Sequence, residues 1–197
     1  MNILGISGSP TGGSSTDIII NAVLEGASAD HVKTTFIRLN EKSIIPCQSC
    51  GQSPYPDYCL FHDDMDEIFK LMEKSEGIIL GSPIFFDSVS AQAKLFIDRI
   101  NCLRPVDFSV TDETVFKKPL FRGKKGGIVM VGGNDGEFDT ALRTARAFFI
   151  WAGIEIVFEL RYISKTLQPG AAGKDEKTLE KARQCGRGLL KAIQAKK

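Results

Sequence analysis

The segment from Gly5 to Thr16 carries the residues best suited to bind a phosphate group. It follows a short apolar stretch and leads directly into a helical pattern. Hydroxyls donate hydrogen bonds, glycines let backbone N–H groups approach closely, and the amino end of a helix attracts anions. Because no Lys or Arg occurs between Met1 and Lys33, we expect phosphate binding through uncharged donors. The candidate phosphate ligands are Ser9, Thr11, Ser14, Ser15 and Thr16.

The spacing of the glycines narrows the kind of phosphate ligand. A Walker-type loop for nucleoside triphosphates needs Gly-Lys-Ser/Thr, but Gly13 is followed by Ser14 and Ser15. A dinucleotide loop needs Gly-x-Gly-x-x-Gly, and glycines at 5, 8, 12 and 13 do not fit that spacing. The candidate ligand that remains for this loop is a terminal monophosphate, as in FMN. The alternative is that this cluster of Ser and Gly has only ordinary turn and helix-cap roles.

Two later segments have the composition expected around a flavin ring. Residues 82–90 combine a rigid proline, two adjacent aromatic side chains and polar groups for the edge of a ring. Residues 132–137 are glycine-rich, so backbone amides there can approach a flat ring without interference from Cβ atoms. Both segments follow predicted strands, and in a parallel sheet they would meet the first loop at one edge. The candidates in the second segment are Gly132, Gly133, Asn134 and Gly136.

The cysteines offer a second kind of chemistry. The pattern Cys-x2-Cys-x8-Cys-x2-His supplies three thiolates and an imidazole, a set that suits tetrahedral zinc. It is formed by Cys47, Cys50, Cys59 and His62. Because short motifs also arise by chance, we favour thiols left over from a lost cluster above any metal site. Cys102 and Cys185 fall in predicted helices and are interpreted as core residues.

Apolar runs alternate with amphipathic stretches along the whole chain. Strands are predicted at 2–6, 32–38, 77–81, 127–131 and 155–160. Helices are predicted at 14–27, 65–74, 90–103, 137–151 and 174–195. Strands rich in β-branched residues and separated by helices indicate an α/β fold of three layers, with a doubly wound parallel sheet. Insertions are expected at about 40–62 and at about 104–125, the second being a lid or interface segment.

Composition limits the classes of protein to consider. The 197 residues are 43% hydrophobic and fit one domain over residues 1–197. A formal net charge of +1 disfavours nucleic acid as a partner. No apolar run approaches the ~20 residues of a membrane span. The amino terminus has no secretory signal pattern and the cysteine count, five, is odd, so we expect a reducing cytoplasm.

Four sets of residues together resemble one protein family. They are Gly8-Ser-Pro10 with Ser14-Ser-Thr16, Ser82-Pro-Ile-Phe-Phe with residues 88–99, Asp63-Asp-Met65, and Cys47-x2-Cys50. They are similar to the NAD(P)H-dependent FMN reductases of flavodoxin-like fold, in the branch of the iron–sulfur flavoproteins. The resemblance implies a five-stranded sheet of order 2-1-3-4-5, and a homodimer or homotetramer with the flavin near a subunit interface. It also implies that FMN is held at the phosphate by the five hydroxyl residues. At the ring, it implies contacts from Pro83, Ile84, Phe85, Phe86, Asp87 and Ser88.

Two positions depart from the pattern of that family. Iron–sulfur flavoproteins carry a compact run of four cysteines, and here Ser53 occupies one of the four positions. An iron–sulfur cluster usually needs four sulfur ligands, so a cluster is not expected. Asp87 stands where relatives often have Gly or Asn. A carboxylate facing the ring would disfavour an anionic reduced flavin.

The resemblance implies an oxidoreductase in which NADH or NADPH reduces FMN, and the flavin then reduces a small acceptor such as a quinone, a flavin or iron. Because the cofactor carries the chemistry, no catalytic side chain is assigned. The alternative function is an electron-transfer protein of the iron–sulfur flavoprotein type, with a ferredoxin-like redox partner. A flavin-binding scaffold without turnover is a third possibility.

Overall fold

The computed structural model describes residues 1–53, 57–133, 137–166 and 168–195. The strands in these residues are β1 (Asn2–Ser7), β2 (Lys33–Arg38), β3 (Gly77–Phe85), β4 (Ser88–Val89), β5 (Lys125–Gly132) and β6 (Glu155–Ile163). The α-helices are α1 (Ser15–Gly26), α2 (Met65–Lys74), α3 (Ala91–Arg99), α4 (Asp139–Ala152) and α5 (Glu176–Gln194). A 3-10 turn, Ile100–Leu103, continues directly from α3.

The five long strands form a parallel sheet in the order β2-β1-β3-β5-β6. This is the predicted order 2-1-3-4-5, because β4 only adds a short antiparallel pairing to β3. The chain runs outward from β1 to β2 and then crosses back to β3, so the strand order reverses between β1 and β3. Ligands of such sheets bind at the carboxyl ends of the strands at this point. The predicted flavodoxin-like architecture is confirmed.

The segment predicted as a loop after the third strand is instead a β-hairpin. β3 continues past its predicted end at residue 81 as far as Phe85, and β4 pairs back onto it. Phe86 and Asp87 form the turn with φ values of 50° and 59°. Two consecutive positive φ values fit the tight turns that join antiparallel strands, although residues other than Gly, Asn and Asp seldom adopt them. A Phe in this position gives no turn signal in the sequence.

Helices cover both faces of the sheet, as predicted. Ile78 in β3 packs in the core beneath α2, α3 and α4, and the adjacent Ile79 packs in the core beneath α1 and α5. Successive residues of a strand point to opposite faces, so both must be apolar in a sheet that is covered twice. Among the described helices, none is both long enough and apolar enough to cross a membrane.

The two predicted insertions lie against each other. The backbone N–H of Val106, in the second insertion, donates to the carbonyl of Gly51, in the first, at 3.4 Å. Val106 also forms an antiparallel bridge with Phe116. The ring of Phe116 meets that of Trp151 in α4 edge-on, with 5.0 Å between the ring centroids. The second insertion therefore folds over the end of α4 and contacts the first.

Helices α1 and α5 cross at glycines, which predicts opposite effects for two substitutions in α5. A Cβ on Gly186 would lie 2.0 Å from the carbonyl oxygen of Val23, whereas one on Gly188 would meet nothing within 4 Å. We expect Gly186→Ala to lower the free energy of unfolding by about 1–3 kcal/mol or more through overpacking. Gly188→Ala should raise it by about 0.5–1 kcal/mol, because alanine favours helix. Urea unfolding measures both, and equal effects would contradict the close crossing.

Candidate functional site

The loop after β1 is fixed to the neighbouring strand and helix. The backbone N–H of Gly8 donates to the carbonyl of Gly81 at 2.8 Å. The hydroxyl of Ser90, which caps α3, donates to the carbonyl of Gly8 at 2.5 Å. A Cβ on Gly8 would lie 2.7 Å from the Cβ of Ala93, so a glycine is required for this close approach. The backbone of the candidate phosphate loop is therefore held where the strand order reverses.

Several backbone donors at the start of α1 have no protein acceptor. Ser14 caps this helix, and its hydroxyl accepts from the backbone N–H of Asp17 at 3.2 Å. Within the described part of the chain, the backbone N–H groups of Ser14, Ser15 and Thr16 donate to no protein acceptor. Consecutive unpaired N–H groups at the positive end of a helix form a binding site for phosphate.

The predicted hydroxyl ligands all belong to this loop, but their roles differ. The Ser9 hydroxyl donates to the carbonyl of Thr11 at 3.1 Å and accepts from its N–H at 3.2 Å, so it shapes the loop. The Ser15 hydroxyl accepts from the backbone N–H of Ala172 at 3.1 Å. Thr16 is buried, whereas Thr11 is exposed. The Ser14 and Ser15 hydroxyls only accept, so their O–H groups are available to a ligand.

A guanidinium that no motif indicated also reaches the loop. Arg38 ends β2, beside β1, and its Nε lies 3.3 Å from the Oδ2 atom of the buried Asp17. Its Nη1 lies 3.0 Å from the point that a Cβ on Gly12 would occupy. Asp17 also accepts from the Ser7 hydroxyl at 2.5 Å and from the Gly13 N–H at 3.0 Å. The loop itself has the uncharged donors expected, and the fold adds one cation that is paired with two carboxylates, Asp17 and Glu41.

Most of the predicted ring-binding residues lie on the β3–β4 hairpin. Phe85 is 48% exposed, and Phe86 at the tip of the hairpin is fully exposed. Asp87 is exposed as well. The other three residues are partly buried: Pro83, Ile84 and Ser88. The hairpin thus presents two apolar side chains to the outside at the carboxyl end of β3.

The glycine loop after β5 is described only at its beginning. Gly132 ends β5, and its carbonyl accepts from the backbone N–H of Ser164 at 2.8 Å. A Cβ on Gly133 would meet no atom of the described residues within 4 Å. Asn134 and Gly136 lie outside the described residues. Because β1, β3 and β5 are neighbouring parallel strands, the three predicted loops begin at one edge of the sheet.

A cavity of about 250 Å³ lies between the two insertions, and it is lined by none of the predicted flavin ligands that the structure describes. Its walls include four of the five cysteines: Cys47, Cys50, Cys59 and Cys102. Cys102 belongs to the core, as predicted, but it also lines the cavity. Its thiol donates to the carbonyl of Arg99 at 3.2 Å. Burial, together with the neighbouring Cys59, raises the pKa of Cys102 to about 12.

The histidine of the zinc pattern does not line this cavity. The side chain of His62 is 62% exposed, and its Nδ1 lies 3.0 Å from the Oδ2 of Asp66. In residues 1–53, 57–133, 137–166 and 168–195, no three His, Cys, Asp or Glu side chains are placed to hold a metal ion. Cys185 packs against the core on the other face of the sheet.

A buried ion pair holds the cysteine segment, residues 45–63, against α3. The Arg99 guanidinium, 1% exposed, donates to the carboxylate of Asp63 and to the carbonyls of Ile45 and Phe61 at 2.9 and 3.0 Å. Asp63 also accepts from the backbone N–H groups of Ile45 and Met65 at 2.7 and 2.9 Å. Burial acts to raise the pKa of Asp63, but its bonds with Arg99 and these amides hold it below its usual range.

Comparison with known proteins identifies the family of this chain. The family model described as NADPH-dependent FMN reductase matches residues 1–166, and the chain belongs to this family. An iron-sulfur flavoprotein of Methanocaldococcus jannaschii is 32% identical over 202 residues, covering 98% of this chain and 97% of the relative. An iron-sulfur flavoprotein of Methanosarcina thermophila is 34% identical over 134 residues, covering 68% of this chain and 64% of the relative. The resemblance inferred from the motifs is confirmed.

Solved structures share the fold at low sequence identity. A flavone reductase has a TM-score of 0.71 and 21% identity, covering 98% of this chain and 63% of its own. RosB, crystallised with 8-demethyl-8-formylriboflavin-5'-phosphate, has a TM-score of 0.72 and 14% identity, covering 99% and 79%. An FMN-dependent NADH-azoreductase from Bacillus anthracis, in complex with FMN, has a TM-score of 0.64 and 12% identity, covering 96% and 100%. At these identities the similarity establishes the fold alone.

The position of Arg38 predicts a difference between two flavins. Arg38→Ala should weaken FMN binding but not riboflavin binding, because only FMN carries a phosphate. Losing a charged donor costs about 1.5–3 kcal/mol, or roughly 10- to 100-fold in Kd. Fluorescence titration measures both affinities. Arg183→Ala, which removes an arginine paired with Glu25 and Glu176, is the control and should change neither. Equal weakening of both flavins by Arg38→Ala would contradict a phosphate role.

Proposed function

We propose that this protein binds FMN at the carboxyl ends of β1, β3 and β5 and acts as an NADH- or NADPH-dependent oxidoreductase. The observation that carries the proposal is the set of unpaired backbone N–H groups at Ser14, Ser15 and Thr16, near the guanidinium of Arg38. A terminal monophosphate supplies the acceptor oxygens that these donors lack. Membership of the FMN reductase family supports the same ligand.

Two groups of residues have different roles in the proposed binding of the phosphate. The O–H groups of Ser14 and Ser15 are free to donate to it, in addition to the amides at the start of α1. The Ser9 hydroxyl stabilises the shape of the loop through the backbone of Thr11. Thr11 and Thr16 are assigned to the hydroxyl lining of the loop. Asp17 orders the loop through Gly13 while its charge is balanced by Arg38, so a dianionic phosphate does not meet an unpaired carboxylate.

The flavin ring is assigned to the space between the hairpin and the glycine loop. On the hairpin side, the contacts are Pro83, Ile84, Phe85, Phe86, Asp87 and Ser88. On the other side, they are Gly132, Gly133, Asn134 and Gly136. When bound, FMN accepts a hydride from the nicotinamide and passes electrons to a small acceptor such as a quinone, another flavin or iron. The chain contributes position and electrostatics, and the Asp87 carboxylate would act against added negative charge on the ring.

The cysteine cavity favours a second candidate function. Four thiols around one cavity are the ligand number of an iron–sulfur cluster. Relatives over most of the chain are named iron-sulfur flavoproteins. In this function the protein transfers electrons between FMN, a cluster and a redox protein of ferredoxin type, without a need for nicotinamide.

We further propose a homodimer or homotetramer in the cytoplasm. Phe85 and Phe86 lie exposed beside the proposed ring site, and exposed aromatic side chains of this kind commonly mark a contact surface. All five cysteines are free thiols, which fits a reducing compartment. The near-neutral net charge of +1 disfavours nucleic acid as a partner.

Anaerobic mixing of the FMN-loaded protein with NADH or NADPH distinguishes the two functions. We expect one nicotinamide to bleach the visible absorbance of the flavin rapidly, because the chain belongs to the family described as NADPH-dependent FMN reductase. Free FMN at the same concentration is the control for uncatalysed reduction. Bleaching only by a reduced ferredoxin would establish the electron-transfer function. A protein that binds no FMN would contradict both.

A further inference from the structure

Four thiols from separated parts of the chain meet at one cavity. Cys47 and Cys50 come from the first insertion, Cys59 from the end of that insertion before α2, and Cys102 from the turn after α3. The volume of about 250 Å³ leaves room for a polyatomic group. The ion pair between Arg99 and Asp63 is one of the contacts that hold these distant parts of the chain together.

The cavity wall also contains buried donors that lack acceptors. Arg99 and Arg104 both line the cavity, and the Nε of each is buried without a hydrogen bond to any described residue. The other guanidinium nitrogens of Arg99 are used by Asp63 and by two carbonyls. Unpaired buried N–H groups are costly, and charged ones favour an anionic ligand. A cluster bound by four thiolates carries net negative charge.

The Cys47 sulfur already accepts hydrogen bonds. The backbone N–H of Ser49 lies 3.4 Å from it, and the Asn101 Nδ2 lies 3.7 Å from it. Hydrogen bonds to sulfur are one of the means by which proteins tune iron–sulfur clusters. Ser49 and Gly51, on either side of Cys50, have left-handed φ values of 53° and 70°. A strained non-glycine residue at such a turn commonly accompanies a functional site.

Ser53 stands where the family pattern has a cysteine, and the fold brings a cysteine from elsewhere in the chain to the cavity. Ser53 is not among the residues that line this cavity and lies instead along an adjacent depression with Phe108 and Lys117. Cys102 lines the cavity in its place. Three cysteines lie close together in the sequence, and the structure therefore places a fourth at the same cavity.

The four thiols are not placed to hold a single metal ion. No three metal-binding side chains among the described residues are close enough to hold one ion. His62, the fourth ligand of the zinc pattern, does not line the cavity. A cubane cluster holds its four thiolates around a polyatomic core, so its ligands stand further apart than those of one zinc ion.

We propose that Cys102 is the fourth thiolate ligand of an iron–sulfur cluster in this cavity, together with Cys47, Cys50 and Cys59. The proposal rests on the second candidate function for its role in electron transfer, but cluster binding is measured separately from flavin binding. Each thiol releases its proton to solvent when it binds iron. The side chains of Arg99 and Arg104 in the wall offset part of the charge of the cluster.

The test compares the wild-type protein with Cys102→Ala and Cys185→Ala after anaerobic purification and reconstitution with ferrous iron and sulfide. Iron, acid-labile sulfide and FMN are measured per chain, and reduced samples are examined by EPR. We expect about four irons and four sulfides in the wild type and in Cys185→Ala, the composition of a cubane cluster. The iron content of Cys102→Ala should be lower by roughly fivefold or more, and its EPR signal should be lost or altered, because a cubane that loses one of its four thiolates is bound less tightly. FMN content should stay unchanged.

Wild-type iron, sulfide and EPR in Cys102→Ala would overturn the assignment. So would a wild-type protein that binds FMN but holds no iron and sulfide after reconstitution, or that holds zinc instead. If Cys102→Ala fails to fold, Cys102→Ser keeps the side-chain volume and replaces the sulfur ligand by a weaker oxygen. Lost iron or an altered EPR signal in that variant supports the proposal, and an unchanged signal overturns it. Loss of FMN from every sample would instead count against the flavin function.

Discussion

A buried guanidinium must find partners for its charge, and in this protein that requirement fastens the cysteine segment to the sheet. Arg99 is 1% exposed and takes its partners from residues 45–63: the carboxylate of Asp63 and the carbonyls of Ile45 and Phe61. A buried charge left without its partner costs about 3–5 kcal/mol. The segment therefore closes over the end of α3, and the thiols that it carries meet the thiol of Cys102.

Helix α3 connects the two candidate sites. At its amino end, the cap residue Ser90 bonds the carbonyl of Gly8 in the phosphate loop. At its other end, Arg99 holds the walls of the cysteine cavity. The nine residues of α3 span about 14 Å at 1.5 Å per residue. One rigid element thus fixes the separation of the proposed flavin and cluster sites, which suits a protein that moves electrons between two groups.

Local pattern predicted the fold and the strand–loop–helix junction after β1 because both depend on neighbouring residues. The central strands β1, β3 and β5 are rich in apolar residues, and the hydroxyls of Ser14 and Ser15 lie at the start of a helix. The features that were missed depend on contacts distant in sequence. Arg38 reaches the loop only because β2 lies beside β1, and Cys102 joins the other thiols only when the first insertion docks on α3. The hairpin was missed because Phe86 is not typical of a left-handed turn.

The position of the cysteine segment depends on the ion pair between Arg99 and Asp63. Urea unfolding of Asp63→Asn tests this dependence most directly. Asp98→Asn is the matched control, because Asp98 pairs with Lys94 in α3 at 2.8 Å while both side chains are about half exposed, at 44% and 50%. We expect Asp63→Asn to lower the free energy of unfolding by about 3–5 kcal/mol, since it leaves a buried charge without its counterion. Asp98→Asn should lower it by less than about 0.5 kcal/mol. Equal, small losses in the two variants would show that the buried pair does not hold the cysteine segment in place.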